Sequence, residues 1–290
     1  MTSEGAVFDL GYEQYRGPRL SDRQVFWRMV IDGLKKSVGI GKRARNKAFP
    51  FSLVALAILP ALGVVVIQVV AKIFGLPLSG DVLLDDREYF DWTSQLIFFF
   101  VAVAVPNLLI PDRVENVLLV YTSRPPTINT YLVARLVAMA ISVGVFLMIP
   151  QLVLLIGEAL ISPSFFGHLA DNLAFWWRVP LTSFAYLAVN VGVAALVAAY
   201  INNRGAAIAI YIIGVNVLNG VGIGLSSINE YFSLLSIQFW PTRIRDWVFG
   251  VNTLDDFPGA DLPIVAVLAT TIAFLILAVA LILRRYRKLI

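Results

Sequence analysis

Of 290 residues, 59% are apolar and only 14% are charged, whereas an ordinary soluble domain carries about a quarter charged residues; the balance excludes a water-soluble fold and points to lipid. Cysteine is absent, which excludes disulfides, thiolate metal sites, iron–sulfur clusters and cysteine nucleophiles. The net charge of +4 needs no nucleic acid to explain it, because its distribution along the chain follows membrane orientation.

Residues 1–19 hold no apolar core and no small-residue cleavage pattern, so they read as a cytoplasmic tail rather than a removable signal. Residues 20–47 are polar but periodic. Phe26, Val30, Leu34 and Val38 fall on one side, and Arg28, Asp32, Lys35, Lys36 and Lys42 elsewhere, which predicts an amphipathic helix. Ser21 with Gln24 predicts a capping box at its start. The basic cluster Lys42, Arg43, Arg45 and Lys47 precedes the first apolar run, where it can meet anionic headgroups; an ordinary solvated helix fits the same pattern.

Six apolar runs follow, near 50–72, 93–111, 131–157, 178–201, 205–224 and 263–283, each close to the roughly 20 residues that cross a hydrocarbon core. Residues 20–290 therefore read as a single transmembrane domain. Pro60, Pro106 and Pro150 fall inside runs, where neighbouring helices can satisfy the freed carbonyls. The Gly-rich end of the fifth run, GVGIG from Gly220 to Gly224, reads as small-residue packing. GIGKR at Gly39–Arg43 lacks the hydroxyl residue and the strand of a phosphate loop.

Eighteen of the 23 Lys and Arg residues fall on one side of this arrangement and five on the other, the five being Lys72, Arg87, Arg178, Arg243 and Arg245. The positive-inside rule then puts both termini in the cytoplasm of a cell membrane. The acidic residues Asp81, Asp85, Asp86, Glu88 and Asp91 crowd the first outside loop.

Two connections carry structure of their own. The outside segment Leu225–Leu262 is apolar and aromatic but too broken to span, which predicts re-entrant or interfacial helices. On the inside, Pro111–Pro126 reads PDRVENVLLVYTSRPP. A proline at a first helical position, Asp112 and Glu115 in the first turn, and Val114, Leu118 and Tyr121 at helical spacing predict a short amphipathic helix.

No catalytic constellation is visible. His168 is the single histidine, without a carboxylate at ligand spacing, and neither HExxH nor GxSxG occurs. Polar residues within the runs remain: Gln95, Asn107, Asn190, Asn216 and Asn219 either hydrogen-bond helices together or line a path. Arg135 and Glu158, near opposite ends of the third run, are expected to snorkel to the interfaces.

The order of basic amphipathic helix, six spans, cytoplasmic helix after the second span and re-entrant segment before the last resembles the permeases of type-2 ATP-binding-cassette exporters. The stretch VENVLLVYTSRPPTINTYLVARL sharpens the likeness, with Tyr121 and the triplet Ser123, Arg124, Pro125 before the third span. The resemblance implies an all-α transport subunit that is not itself an enzyme and binds no cofactor. ATP and magnesium would be held by separate ATPase subunits, with a second permease copy or paralogue completing a dimer in the lipid. It also implies that the helix from Asp112 to Tyr121, which includes Glu115 and Leu118, couples the chain to the ATPase together with Arg124 just beyond it. Asn107, Asn216 and Asn219 would border the translocation path. An ATP-independent carrier or channel is the competing expectation; it would place ionisable residues in the bundle.

Overall fold

The computed structural model describes residues 20–40, 44–76, 86–115, 127–251 and 262–288. Among these every regular element is a helix: α1 (Asp22–Val38), α2 (Ala44–Phe74), α3 (Asp86–Val114), α4 (Ile128–Ile161), α5 (Phe165–Asp171), α6 (Phe175–Tyr200), α7 (Arg204–Ser226), a 3-10 turn (Glu230–Leu235), α8 (Phe239–Phe249) and α9 (Ile264–Arg287). Six of them, α2, α3, α4, α6, α7 and α9, are long and apolar enough to cross a membrane. Each overlaps one of the six apolar runs. The runs mark only the apolar centres; the helices extend beyond them because amphipathic ends such as Asp86–Asp91 continue the backbone ladder.

Helix α3 is the axis of the bundle. Its most apolar stretch is 78% buried, against 17% for α2 and α9, and it packs on α1, α2, α4, α6, α7 and α8. Small residues permit this crowding: Ala102 and Ala104 are buried among Phe98, Phe100 and Leu108, so neighbouring helices approach closely. Phe98 stacks on Tyr211 of α7 and Phe100 on Phe146 of α4. The face of α2 turned away from the bundle carries Leu59, Val66 and Ile73, and that of α9 carries Val265, Ile272 and Ile276.

The start of α1 has the expected capping box: Gln24 N–H donates to Ser21 Oγ at 3.4 Å while Ser21 N–H donates to the Gln24 side chain at 3.1 Å. The helix stops earlier than residue 47. Gly39 adopts φ 76° and its N–H caps the carbonyls of Lys35 and Lys36, a left-handed stop that glycine takes without a Cβ penalty. Arg45 and Lys47 belong to the first turns of α2, and Lys42 and Arg43 lie outside the described residues. The buried face is also rotated from the expected one, comprising Met29, Val30, Gly33 and Ser37. The cause is close approach: a Cβ on Gly33 would stand 2.7 Å from Ala138 Cβ, so α1 presses its smallest side against α4.

The connection after α7 turns back on the bundle. Gly222 makes room for it, since a Cβ there would lie 2.7 Å from the backbone N of Ser236, and α8 then packs between α6 and α9.

Candidate functional site

The polar groups that α3 carries into the bundle gather at its two ends. At the end shared with α1, Asp112 accepts from Arg135 Nη2 at 2.6 Å, from Tyr131 Oη at 2.9 Å and from Lys36 Nζ at 3.2 Å. Arg135 also donates to Asp32 at 2.9 Å and lies over the Tyr131 ring. Burial works against the Asp32 charge, but Arg135 and Lys36 outweigh it and hold the carboxyl below the usual carboxylate range. The cluster joins α1, α3 and α4. Arg135 therefore does not snorkel. It is 1% exposed, because the buried Asp112 and the half-exposed Asp32 both pair with it and offset the cost of desolvating its charge.

The expected helix start at Pro111 is corrected as well. Helix α3 runs through Pro111 to Val114, so Asp112 sits in a last turn rather than a first. Proline has no N–H to offer the carbonyl four residues back, which is that of Asn107. That stretch of α3 faces a cavity of about 380 Å³ lined by Lys36, Ser37, Asn107 and Arg204 among others, where a freed carbonyl meets polar surroundings.

Next to Asp112, Arg113 reaches the opposite way. Its guanidinium donates to the carbonyls of Ala199 and Ile201 and, at 3.1 Å, to Asn202 Oδ1, capping the end of α6 whose last carbonyls lack amide partners. Two consecutive residues thus tie the end of α3 to α1 and α4 on one side and to α6 on the other. Glu115 follows, exposed, with Oε1 3.4 Å from Arg204 Nη2 at the start of α7. Leu118, Tyr121 and Arg124 lie outside the described residues.

At the other end of α3, Arg245 of α8 bonds Asp91 and, at 2.9 Å, its neighbour Asp246, which also accepts from Arg87 Nε at 2.9 Å. Between the two ends lies a neutral network. Asn190 of α6 accepts from Tyr211 Oη at 2.9 Å and from Gln238 Nε2 at 3.0 Å. Asn219 accepts from Ser236 Oγ at 3.0 Å and from the Gln238 N–H at 3.2 Å. Gln238, at the start of α8, is therefore held within the bundle by two asparagines from different helices.

The three asparagines named as path residues are not gathered at one place. Asn107 faces the cavity that contains Arg204, and Asn216 stands twelve residues further along α7, roughly 18 Å of helix. Asn216 is exposed and, among the described residues, its side chain bonds only the carbonyl of Ile212 in its own helix; Asn219, one turn on, turns to the Ser236 segment. Gln95 is exposed. His168 Nε2 stands 3.5 Å from Glu158 and 3.2 Å from Asn172 Nδ2, and no group of three metal-ligating side chains occurs among the described residues.

Sequence reasoning names Lys36 only as a polar-side residue of the first helix, Arg135 as a snorkelling one and Arg245 as an outside charge, and it passes over Tyr131, Gln238 and Asp246. The signal for Arg135 is its position: a charge inside an apolar run implies a partner, and Asp112 stands at the facing end of the preceding span. Neither a protein-family model nor a curated protein matches this sequence.

Proposed function

We propose that this chain is the membrane-embedded permease subunit of an ATP-driven exporter, with both termini cytoplasmic and its α8 segment re-entrant from outside. Separate ATPase subunits bind the ATP and magnesium, and a second permease copy or paralogue completes the assembly. The observation that supports this most is the fork at Asp112 and Arg113. The segment 116–126, which carries the resemblance to a coupling helix, begins in sequence three residues after Arg113, and Asp112 and Arg113 together grip α1, α4 and α6. A push on that segment is thereby delivered to several helices at once. This is what a subunit driven from outside the membrane requires, since coupling needs an element whose arrangement both sites bias.

A second reading, an ATP-independent carrier, draws on the buried charges of Asp112 and Arg135, the kind of residue used for ion coupling. Against it, both Asp112 oxygens are engaged by three donors, which leaves a transported cation little to bind. Mild-detergent purification of the tagged chain from its native membrane discriminates between the two. A stoichiometric ATPase in the eluate is the expected result, and transport by the purified chain alone, driven by an ion gradient, would overturn it.

A further inference from the structure

Helix α1 has a third face that the bundle does not use. Trp27 and Ile31 point outward and are 46–48% exposed. Further along, Leu34 and Val38 form one wall of an apolar groove of about 270 Å³, completed by Val54 of α2 and by Ile141, Val145 and Phe146 of α4. The outward strip of α1 thus runs into the surface of two helices long and apolar enough to span a membrane. Arg28 and Lys35 flank the strip. They are seven residues apart and so share a side of the helix, and both are exposed. Lys36, by contrast, is paired with Asp32 and Asp112, whereas Arg28 and Lys35 make no ion pair among the described residues.

We infer that the groove and these two cations form a binding site for an anionic phospholipid of the surrounding leaflet, with an acyl chain in the groove and the phosphate held by Lys35 and Arg28. Charge and shape select this occupant. Arg28 and Lys35, without an ion pair among the described residues, offer an anion two partners, and the groove lining is apolar. Its volume takes an alkyl chain but not a partner helix about 10–12 Å across. Asp32, one turn from each of the two cations, is held by Arg135 and Lys36, so a lipid bound there also steadies the cluster at the end of α3. The inference rests on the membrane-spanning part of the proposed function and not on its coupling to an ATPase.

The test is lipid retention by the purified full-length chain, reconstituted in phosphatidylcholine with phosphatidylglycerol, re-extracted and weighed intact by native mass spectrometry. Wild type keeps phosphatidylglycerol in preference to phosphatidylcholine. Arg28→Gln with Lys35→Gln weakens that preference roughly thirtyfold, equivalent to about 2 kcal/mol at 1.4 kcal/mol per tenfold, and Val145→Trp, which fills the groove, loses both lipids. Should Val145→Trp fail to fold, the two surface substitutions still decide the question. Equal retention of the two lipids by wild type, an unchanged preference in the double variant, competition by glycerol phosphate as effective as by phosphatidylglycerol, or a protein bound there instead of lipid would each overturn the site. ATPase co-purification is scored separately, so loss of lipid preference leaves the coupling reading standing and the reverse is equally visible.

Discussion

The carboxylate of Asp112 and the guanidinium of Arg135 meet at 2.6 Å, with side chains 7% and 1% exposed. They hold the end of α3 against α4 and, through Asp32, against α1. Breaking such a pair from one side leaves a buried charge uncompensated, which costs about 3–5 kcal/mol. The two sides differ. Arg135→Met leaves Asp112 with Lys36 and Tyr131, while Asp112→Ala leaves Arg135 with the half-exposed Asp32 as its one carboxylate among the described residues, beside the Met29 carbonyl and the Tyr131 ring. Asp112→Ala is therefore expected to lower thermal stability in detergent more than Arg135→Met, and the double variant to recover part of the loss. Equal effects of the two single variants would show that the pair acts alone and Lys36 contributes nothing.

Glycines offer a test in which two effects of opposite sign compete. Alanine is favoured over glycine in a helix by about 1 kcal/mol, but overpacking costs about 1–3 kcal/mol. Gly33→Ala and Gly157→Ala are expected to destabilise, because the new methyl would stand 2.7 Å from Ala138 Cβ and 2.2 Å from Val65 Cγ2. Gly63→Ala, with nothing within 4 Å, is expected to be neutral or stabilising. Thermal unfolding of the three variants in one detergent measures the order.

The six spans are legible because lipid imposes a length and a polarity that a sequence must satisfy on its own. The cap at Ser21 is legible because both partners lie within three residues. What the sequence does not reveal is partner choice across distance. Arg135 and Asp112 are 23 residues apart and Gln238 and Asn190 48 apart, and nothing local states that they meet. The helix expected to begin at Pro111 fails for a related reason: proline at a first position and proline inside a helix look alike until the polar cavity beside Asn107 is known.

Orientation is tested with single cysteines, for which the chain supplies no background. Residues introduced at the N-terminus, at Arg124 and at the C-terminus are expected to be shielded from an impermeant thiol reagent in intact cells, and those at Asp85 and Asp255 labelled. Labelling at position 124 from outside would invert the assignment of the coupling segment.

Asn216 and Asn219 are expected to behave differently. Asn219→Leu removes the acceptor for Ser236 and Gln238, and interhelical bonds in membranes average about 0.6 kcal/mol, up to about 1.7. A loss of about 1–3 kcal/mol and faster proteolysis of the Glu230–Phe249 region should follow. Asn216→Leu removes only a bond within its own helix and should leave stability unchanged. If it nevertheless alters substrate-stimulated ATPase activity of the assembled transporter, Asn216 borders the path.

The coupling assignment predicts a division of labour between adjacent residues. Asp112 and Arg113 are committed to the bundle, so their loss disturbs folding, whereas Glu115 is exposed and its side chain pairs, among the described residues, only with the likewise exposed Arg204 at 3.4 Å. Exposed pairs of this kind contribute about 0–1 kcal/mol, so Glu115→Arg should insert and fold as wild type does. If the segment it begins docks on an ATPase, reversing its charge should weaken co-purification of that ATPase or uncouple hydrolysis from transport, because a like charge opposed across an interface costs several kcal/mol. Leu118→Asp should weaken docking through lost apolar contact and a newly desolvated carboxylate, a penalty of about 2–5 kcal/mol where the site is fully buried. A helix lying on the membrane surface predicts the reverse pattern. Glu115→Arg would then be neutral or favourable through attraction to anionic lipid, and Leu118→Asp would impair seating of the chain in the membrane. Comparing ATPase retention with the fraction of correctly inserted chain in the two variants separates these outcomes, and wild-type retention in Glu115→Arg beside poor insertion of Leu118→Asp would reject the docking role.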